Sequence, residues 1–231
     1  EYVKSLSSSF GWVPEYAQWH PMSEEHCETC CIKDMIECSL ELIDAGYDEY
    51  YDVVNRFVRN QMYEQQVKDG RFVPVDNSRE PDQPGITYKD IDKKVVGGWS
   101  GGGEPNSISL SRFRSIAGCC VGTAPQALWM VWKRIVEKKD GVVFVNMPIE
   151  RDAPEATVLI GYPNEGTLTV TAKCDGEFRL RVHPFMGDRL TLKVAGKRVP
   201  LLVDGLDSRR VVHVGDRRHL GSNDLQFLEP L

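Results

Sequence analysis

Hydrophobic positions in the first part of the chain recur at the spacing of amphipathic helices. In one stretch the apolar residues are Ile32, Met35, Ile36, Leu40 and Ile43, and Gly46 follows them. Steps of three and four residues place these side chains on one helical face, and glycine is typical of a helix end. A second stretch, residues 48–68, repeats the pattern and stops at Gly70. The two stretches predict an antiparallel helical hairpin.

A third helix is predicted after a pair of adjacent cysteines. Thr123 and Gln126 have the spacing of a capping box, and Pro125 would lie in the first turn, so the pattern predicts a helix start at Thr123. The apolar face of this helix would consist of Leu128, Trp132, Ile135 and Val136. We expect its end near Asp140 and Gly141.

Beyond that point the period of the hydrophobic pattern changes from 3.6 to 2. The alternating segments are VVFVNMPI, ATVLIGY, TLTVTAK, EFRLRVH, RLTLKVAG and RRVVHVG, and turn sequences such as PNEG separate them. Alternation over short segments is typical of antiparallel strands with one buried face. We therefore expect an α+β multidomain chain, with helices in residues 1–140 and an antiparallel β-sandwich in residues 141–231.

Charge and hydropathy narrow the possible partners. The 231 residues have a formal net charge of −6, so the basic surface of a nucleic-acid-binding or membrane-surface protein is not expected. No apolar run is long enough to span a membrane. We expect a cytoplasmic location. Export stays an alternative, because the sequence begins without methionine and we expect an N-terminal part to be missing. A homodimer is also left open.

Five of the seven cysteines fall in two groups, which disagrees with the spread-out framework of a disulfide-rich protein. HCETCC includes Glu28 and Cys30, and GCCVG includes Cys119 and Cys120. Three thiolates and a carboxylate suit the four-coordinate, sulfur-rich sites of zinc. Because residues i and i+2 diverge on a helix, Glu28 and Cys30 can share one ion only if the helix begins near Thr29. We place the cysteine pair in the turn before the third helix.

Other interpretations of the cysteines remain open. Buried thiols without a ligand are common, and Cys27, Cys31 and Cys38 would share one helical face if the helix began early. A redox enzyme could use the adjacent pair, and His26 could compete as a ligand. A plain zinc ribbon is disfavoured, because neither group has matched CxxC knuckles.

The sequence resembles glycoside hydrolase family 127, the β-L-arabinofuranosidases and their close relatives, over most of residues 11–205. The segments that carry the resemblance are ETCCIKDMIECSLELIDAGYDEYYDVVNRFVRNQ, GCCVGTAPQALWMVWKRI, DGVVFVNMPIERDAP and FRLRVHPFM. The resemblance implies an (α/α)₆ barrel followed by a β-sandwich, so the helices here would be the C-terminal part of a catalytic barrel. It also implies a zinc ion and a carbohydrate substrate.

The resemblance assigns roles to particular residues. Glu28, Cys30, Cys119 and Cys120 would be the zinc ligands, and Cys119 would also be the nucleophile of a retaining mechanism. An acid/base glutamate is expected shortly before ETC. We assign it to Glu15, because aromatic neighbours would raise its pKa; Glu24 and Glu25 are rivals that would otherwise serve the helix start. Two interpretations are open for the nearby aromatic residues: they form a wall on which a sugar stacks, or they belong to the hydrophobic core. These residues are Trp12, Tyr16 and Trp19.

Two features of this sequence differ from the arabinofuranosidases and limit which family properties are assigned to it. Val121 and Gly122 follow the cysteine pair where arabinofuranosidases commonly have prolines and an asparagine, so the sugar could differ. The chain also has too few helices for a twelve-helix barrel. The leading hypothesis is a retaining zinc-thiolate glycoside hydrolase that acts on β-L-arabinofuranosides or a related plant-type sugar. The alternative is a noncatalytic carbohydrate-binding or structural module in which zinc ties the helices to the sandwich.

Overall fold

A computed structural model describes residues 7–15, 27–71, 73–85, 87–99, 101, 118–162, 164–187, 190–194, 196–200, 203–204, 211–214 and 224–228. The chain divides into two compact units, one formed by Glu1–Glu37 and Arg56–Leu128 and the other by Cys38–Asn55 and Trp129–Leu231. The predicted boundary at residue 140 stays a prediction. Helices and sheets are both present, as expected for an α+β chain.

The helices within the described residues are α1 (Thr29–Asp44), α2 (Tyr50–Phe57), α3 (Ile91–Lys94) and α4 (Gly118–Ile135), with a π-helical turn at Val58–Met62 and a 3₁₀ turn at Pro184–Met186. No helix in this part of the chain is long and apolar enough to cross a membrane.

Helix α1 confirms the first predicted helix, and its buried side follows the predicted pattern. Ile32, Ile36, Leu40 and Ile43 are all buried. At its end the N–H of Gly46 bonds to Ile43 O and the N–H of Tyr47 bonds to Leu42 O. This pair of bonds is the Schellman arrangement, which needs a left-handed residue, and Gly46 has a φ of 96°. The predicted glycine stop is therefore confirmed.

The second and third predicted helices differ from the structure at their ends. The second was expected over residues 48–68, but regular α-helix ends at Phe57 and a π-helical turn continues to Met62. Helix α4 ends at Ile135, before the expected end near Asp140, because residues from Val136 onward pair as a strand. Strand pairing satisfies the same backbone groups that a further helical turn would have used.

The strands lie in the second unit and form two sheets. Their bounds are β1 Val136–Lys139, β2 Val142–Val145, β3 Arg151–Asp152, β4 Ala156–Ile160, β5 Thr167–Ala172, β6 Glu177–Arg181, β7 Thr191–Val194, β8 Lys197–Val199, β9 Val203–Asp204, β10 Val211–Val214 and β11 Asp224–Leu228. One sheet has the order β1-β2-β6-β10-β9, and the other β3-β4-β5-β11-β7-β8. Alternate residues of β5 are buried, as the pattern predicted.

One strand pair departs from the antiparallel prediction. β2 and β6 run parallel, with Val143 opposite Phe178, whereas the other described pairs are antiparallel. Between these two strands the chain passes through β3, β4 and β5 of the other sheet. A long connection of this kind permits a parallel neighbour, which a tight hairpin turn does not.

Candidate metal centre

Glu28 and Cys30 lie at the beginning of α1, where the chain changes from extended to helical. The helix begins at Thr29, and the Glu28 carbonyl accepts bonds from the N–H groups of Cys31 and Ile32. Glu28 is therefore the residue that precedes the helix, and its side chain does not follow helical spacing. This confirms the expected start near Thr29, which is the buried first residue of the helix.

Cys119 and Cys120 lie in the first turn of α4, which corrects the prediction that they precede the helix. The helix begins at Gly118, and Pro125 lies inside it instead of in its first turn. Pro125 has no N–H to donate to the carbonyl of Val121. That loss is tolerated because both residues lie on the exposed side of the helix, where water reaches the carbonyl.

The two helix starts bring the four predicted ligands together. Cys119 Sγ lies 3.0 Å from Glu28 Oε1, and Cys120 Sγ lies 3.5 Å from the same oxygen. Cys120 Sγ is 3.7 Å from Cys30 Sγ and 3.9 Å from Cys119 Sγ. All four donor atoms lie within 4.8 Å of one another.

These distances can be compared with the edges of a zinc tetrahedron. Ligand bonds of roughly 2.3 Å for sulfur and 2.0–2.2 Å for oxygen give edges of about 3.8 Å between sulfurs and about 3.5 Å between sulfur and oxygen. The two sulfur–sulfur distances of 3.7 and 3.9 Å match this edge, and one of the two sulfur–oxygen distances is 3.5 Å. The donor set therefore fits a four-coordinate, sulfur-rich ion such as zinc.

The four donor residues differ in their exposure to solvent. Cys120 has 0% exposure, whereas Glu28 and Cys30 are half-buried and Cys119 is exposed. The hydrogen bond to Glu28 raises the pKa of Cys119, and burial raises the pKa of Cys120. No lysine, arginine or histidine among the described residues forms an ion pair with Glu28.

Thr123 is a member of the site that the sequence interpretation missed. It was assigned to a helix cap, but it lies one turn into α4 with its Oγ1 3.4 Å from Cys30 Sγ. The spacing of three and four residues from Cys120 and Cys119 is the signal that could have identified it. That signal has meaning only if the helix begins before the cysteine pair.

The other predicted residues have different outcomes. Glu15 is half-buried and is not one of the four clustered donors, but its charge acts on Cys31. Trp12 is buried, as its interpretation as core predicted. Tyr16, Trp19, Glu24, Glu25 and His26 lie outside the described residues. Cys27 is buried, but Cys38 is exposed, so Cys27, Cys31 and Cys38 do not share a buried helical face.

Three of the solved structures that share this fold are glycoside hydrolases. One described as a glycoside hydrolase has a TM-score of 0.55 and 16% identity, covering 91% of this chain and 34% of its own. The GH127 β-L-arabinofuranosidase Ara127N-Se from Geobacillus stearothermophilus T6 has a TM-score of 0.56 and 16% identity, covering 97% of this chain and 36% of its own. The GH127 β-arabinofuranosidase BT3674 has a TM-score of 0.54 and 17% identity, covering 89% of this chain and 32% of its own.

The resemblance noted in the sequence is thus confirmed at the level of the fold. This chain spans about a third of the length of each of these structures. No protein-family model matches the chain, and no curated protein matches it significantly.

Proposed function

We propose that this chain is the later part of a retaining glycoside hydrolase that binds zinc through Glu28, Cys30, Cys119 and Cys120. The proposed substrates are β-L-arabinofuranosides or a related plant-type sugar. The observation that carries the proposal is the convergence of these four donors from two helix starts at the spacing of a zinc site. The fold shared with glycoside hydrolases supports it.

The proposal extends to the architecture. The helices would form the C-terminal part of an (α/α)₆ barrel, and the two sheets would be the layers of a β-sandwich. The fold shared with the GH127 structures and their greater length support this assignment.

Cys119 is the proposed nucleophile, and its exposure supports the choice over its neighbour. A sugar can approach the sulfur of Cys119, whereas Cys120 has 0% exposure. A bound zinc ion would keep the clustered sulfurs deprotonated at neutral pH, a state that free thiols reach only near their usual pKa of roughly 8.5.

In the proposed reaction Cys119 Sγ attacks the anomeric carbon, and the bond from that carbon to the leaving oxygen breaks. A C–S bond forms, and the leaving oxygen takes a proton from a general acid. Water then attacks the same carbon from the opposite side while the acid, now a base, takes the proton of that water. The sulfur leaves as a thiolate. Two inversions give net retention of configuration.

Glu15 is the proposed acid and base. Its segment is fixed to the end of α2, because Gly11, with a φ of 97°, packs against the backbone of Arg56. The side chains of Arg56 and Asn60 donate to the carbonyls of Ser9 and Phe10. Burial and then the charge of Glu15 raise the pKa of Cys31 to about 12, so this carboxylate acts on the residue next to the ligand Cys30.

A noncatalytic module is the second candidate, since the chain spans about a third of the length of the solved enzymes. In that case the zinc would join the starts of α1 and α4 and have no substrate. The four donors would still bind metal, so metal content alone does not separate the two functions.

The deciding experiment compares Cys119→Ser with Cys38→Ser in the full-length protein that contains this chain, loaded with zinc and assayed on 4-nitrophenyl β-L-arabinofuranoside. Loss of the nucleophile should lower kcat/KM by at least about 10³-fold. Cys38 is exposed and outside the cluster, so its variant should keep wild-type activity.

Glu15→Gln in the same assay tests the proposed acid. Its loss should be larger on a methyl glycoside than on the nitrophenyl glycoside, because a good leaving group needs less protonation. A wild-type protein that binds zinc but hydrolyses neither glycoside would overturn the proposed activity on β-L-arabinofuranosides.

A further inference from the structure

The hydroxyl of Thr123 contacts the metal centre without being one of its four donors. Thr123 Oγ1 lies 3.4 Å from Cys30 Sγ, a contact between the second turn of α4 and the first turn of α1. Among the described residues, Cys30 Sγ has hydrogen-bond contacts with the cysteines of the cluster and with Thr123. The β-branched side chain of Thr123 has few rotamers in a helix, so the hydroxyl is held in place.

The direction of this hydrogen bond depends on the state of the sulfur. A thiol at Cys30 could donate to Thr123, but a liganded thiolate has no proton and can only accept. Three thiolates and one carboxylate bring four negative charges to an ion with two positive charges. A hydroxyl that donates to one of these sulfurs stabilises the surplus negative charge.

We propose that Thr123 is a positioning residue of the metal centre, donating a hydrogen bond from its hydroxyl to the sulfur of Cys30. This inference rests on the proposed zinc site. Outer partners of metal ligands orient the ligand and tune its electron density, and their loss typically lowers metal affinity by about 10- to 100-fold. Thr123 therefore fixes Cys30 from α4, the helix that supplies the other two sulfurs.

The test uses the full-length protein that contains this chain and three substitutions at one position. Thr123→Val and Thr123→Ala remove the hydroxyl, and Thr123→Ser retains it. Thr169→Val, on strand β5, makes the same chemical change outside the cluster. Zinc affinity is measured by competition with a chromophoric chelator, and the unfolding midpoint of each metal-free variant is recorded as a control for fold.

We expect Thr123→Val and Thr123→Ala to bind zinc about 10- to 100-fold more weakly than wild type. Thr123→Ser and Thr169→Val should bind it as wild type does. In the Co²⁺-substituted proteins, the sulfur-to-metal charge-transfer band should lie at longer wavelength in Thr123→Val and Thr123→Ala than in wild type. In Thr123→Ser it should lie at the wild-type wavelength. A purely structural role for Thr123 would not move this band, because the ligand set is the same.

The outcomes separate this inference from the proposed function. If wild type binds zinc and both hydroxyl-free variants match it in affinity and in the Co²⁺ spectrum, the role of Thr123 is refuted and the zinc site stands. If wild type binds no zinc, the proposed zinc site itself fails, and the role of Thr123 fails with it. If Thr123→Val does not fold, the comparison of Thr123→Ala with Thr123→Ser decides the question.

Discussion

Two groups of ionisable side chains in this protein differ in their charge balance. In the second unit Glu137 accepts hydrogen bonds from Tyr51 at 2.8 Å, from Asn146 at 2.8 Å and from Arg134 at 2.9 Å. Arg181, largely buried, forms an ion pair with Asp48 at 2.9 Å and lies over the Tyr51 ring. Each negative group in this network faces a donor or a cation.

The candidate metal centre has a different arrangement. The donor atoms of Glu28, Cys30, Cys119 and Cys120 lie within 4.8 Å of one another, and no described cationic side chain forms an ion pair with Glu28. A buried network that satisfies its own charges holds a fold together, whereas a carboxylate and three thiols that converge on one point are suited to share a cation once the thiols are deprotonated. The comparison teaches that the described network of the second unit balances its own charges, whereas the donors of the cluster would need a cation to balance theirs.

The largest expected effect concerns Cys120, the buried cysteine of the cluster. Cys120→Ser should lower zinc affinity by at least about 100-fold, more than the loss of an outer partner, because a neutral hydroxyl is a poor substitute for thiolate. Zinc per chain after gel filtration measures the effect. Cys38→Ser is the matched control and should retain one zinc per chain. Equal zinc content in both variants would contradict the assignment of Cys120 as a ligand.

The next effect concerns where zinc stabilises the chain. At a free zinc concentration of 100 times Kd, the folded state should gain about 2.7 kcal/mol. Hydrogen exchange should show the largest gain in protection in the first turns of α1 and α4, because the ligands lie there and local openings differ among regions. Cys120→Ser should show no such gain. A gain concentrated in the sheets would argue against a site at the two helix starts.

The smallest effect should come from the network of the second unit. Burial, and then the charge of Glu137, raise the pKa of Tyr51, so its hydroxyl stays protonated and donates to that carboxylate. Tyr51→Phe should lower the free energy of unfolding by about 1.5 kcal/mol, since Glu137 keeps two other donors. Tyr47→Phe, at an exposed tyrosine, should have no effect in urea unfolding. Zinc affinity should be unchanged in both, and a change in Tyr51→Phe would show that the two groups are coupled.

The sequence determined several features by itself because they depend on local spacing. The buried face and glycine stop of α1, and the alternation of β5, follow from periodicity and from the conformational freedom of Gly46. The residue types of the two cysteine groups also suggested a zinc site, since a carboxylate and three thiols are a recognisable donor set.

Only the tertiary structure decided which residues meet. Cys30 and Cys120 are 90 positions apart, and their contact depends on the packing of two helix starts. The sequence also favoured the wrong start for α4, because the local pattern of Thr123, Pro125 and Gln126 is a better cap than the cysteine pair. The parallel pairing of β2 with β6 also joins segments that are distant in sequence, so local patterns could not predict its direction. Spacing along the chain reports local conformation, whereas long-range contacts depend on the free energy of the packed whole.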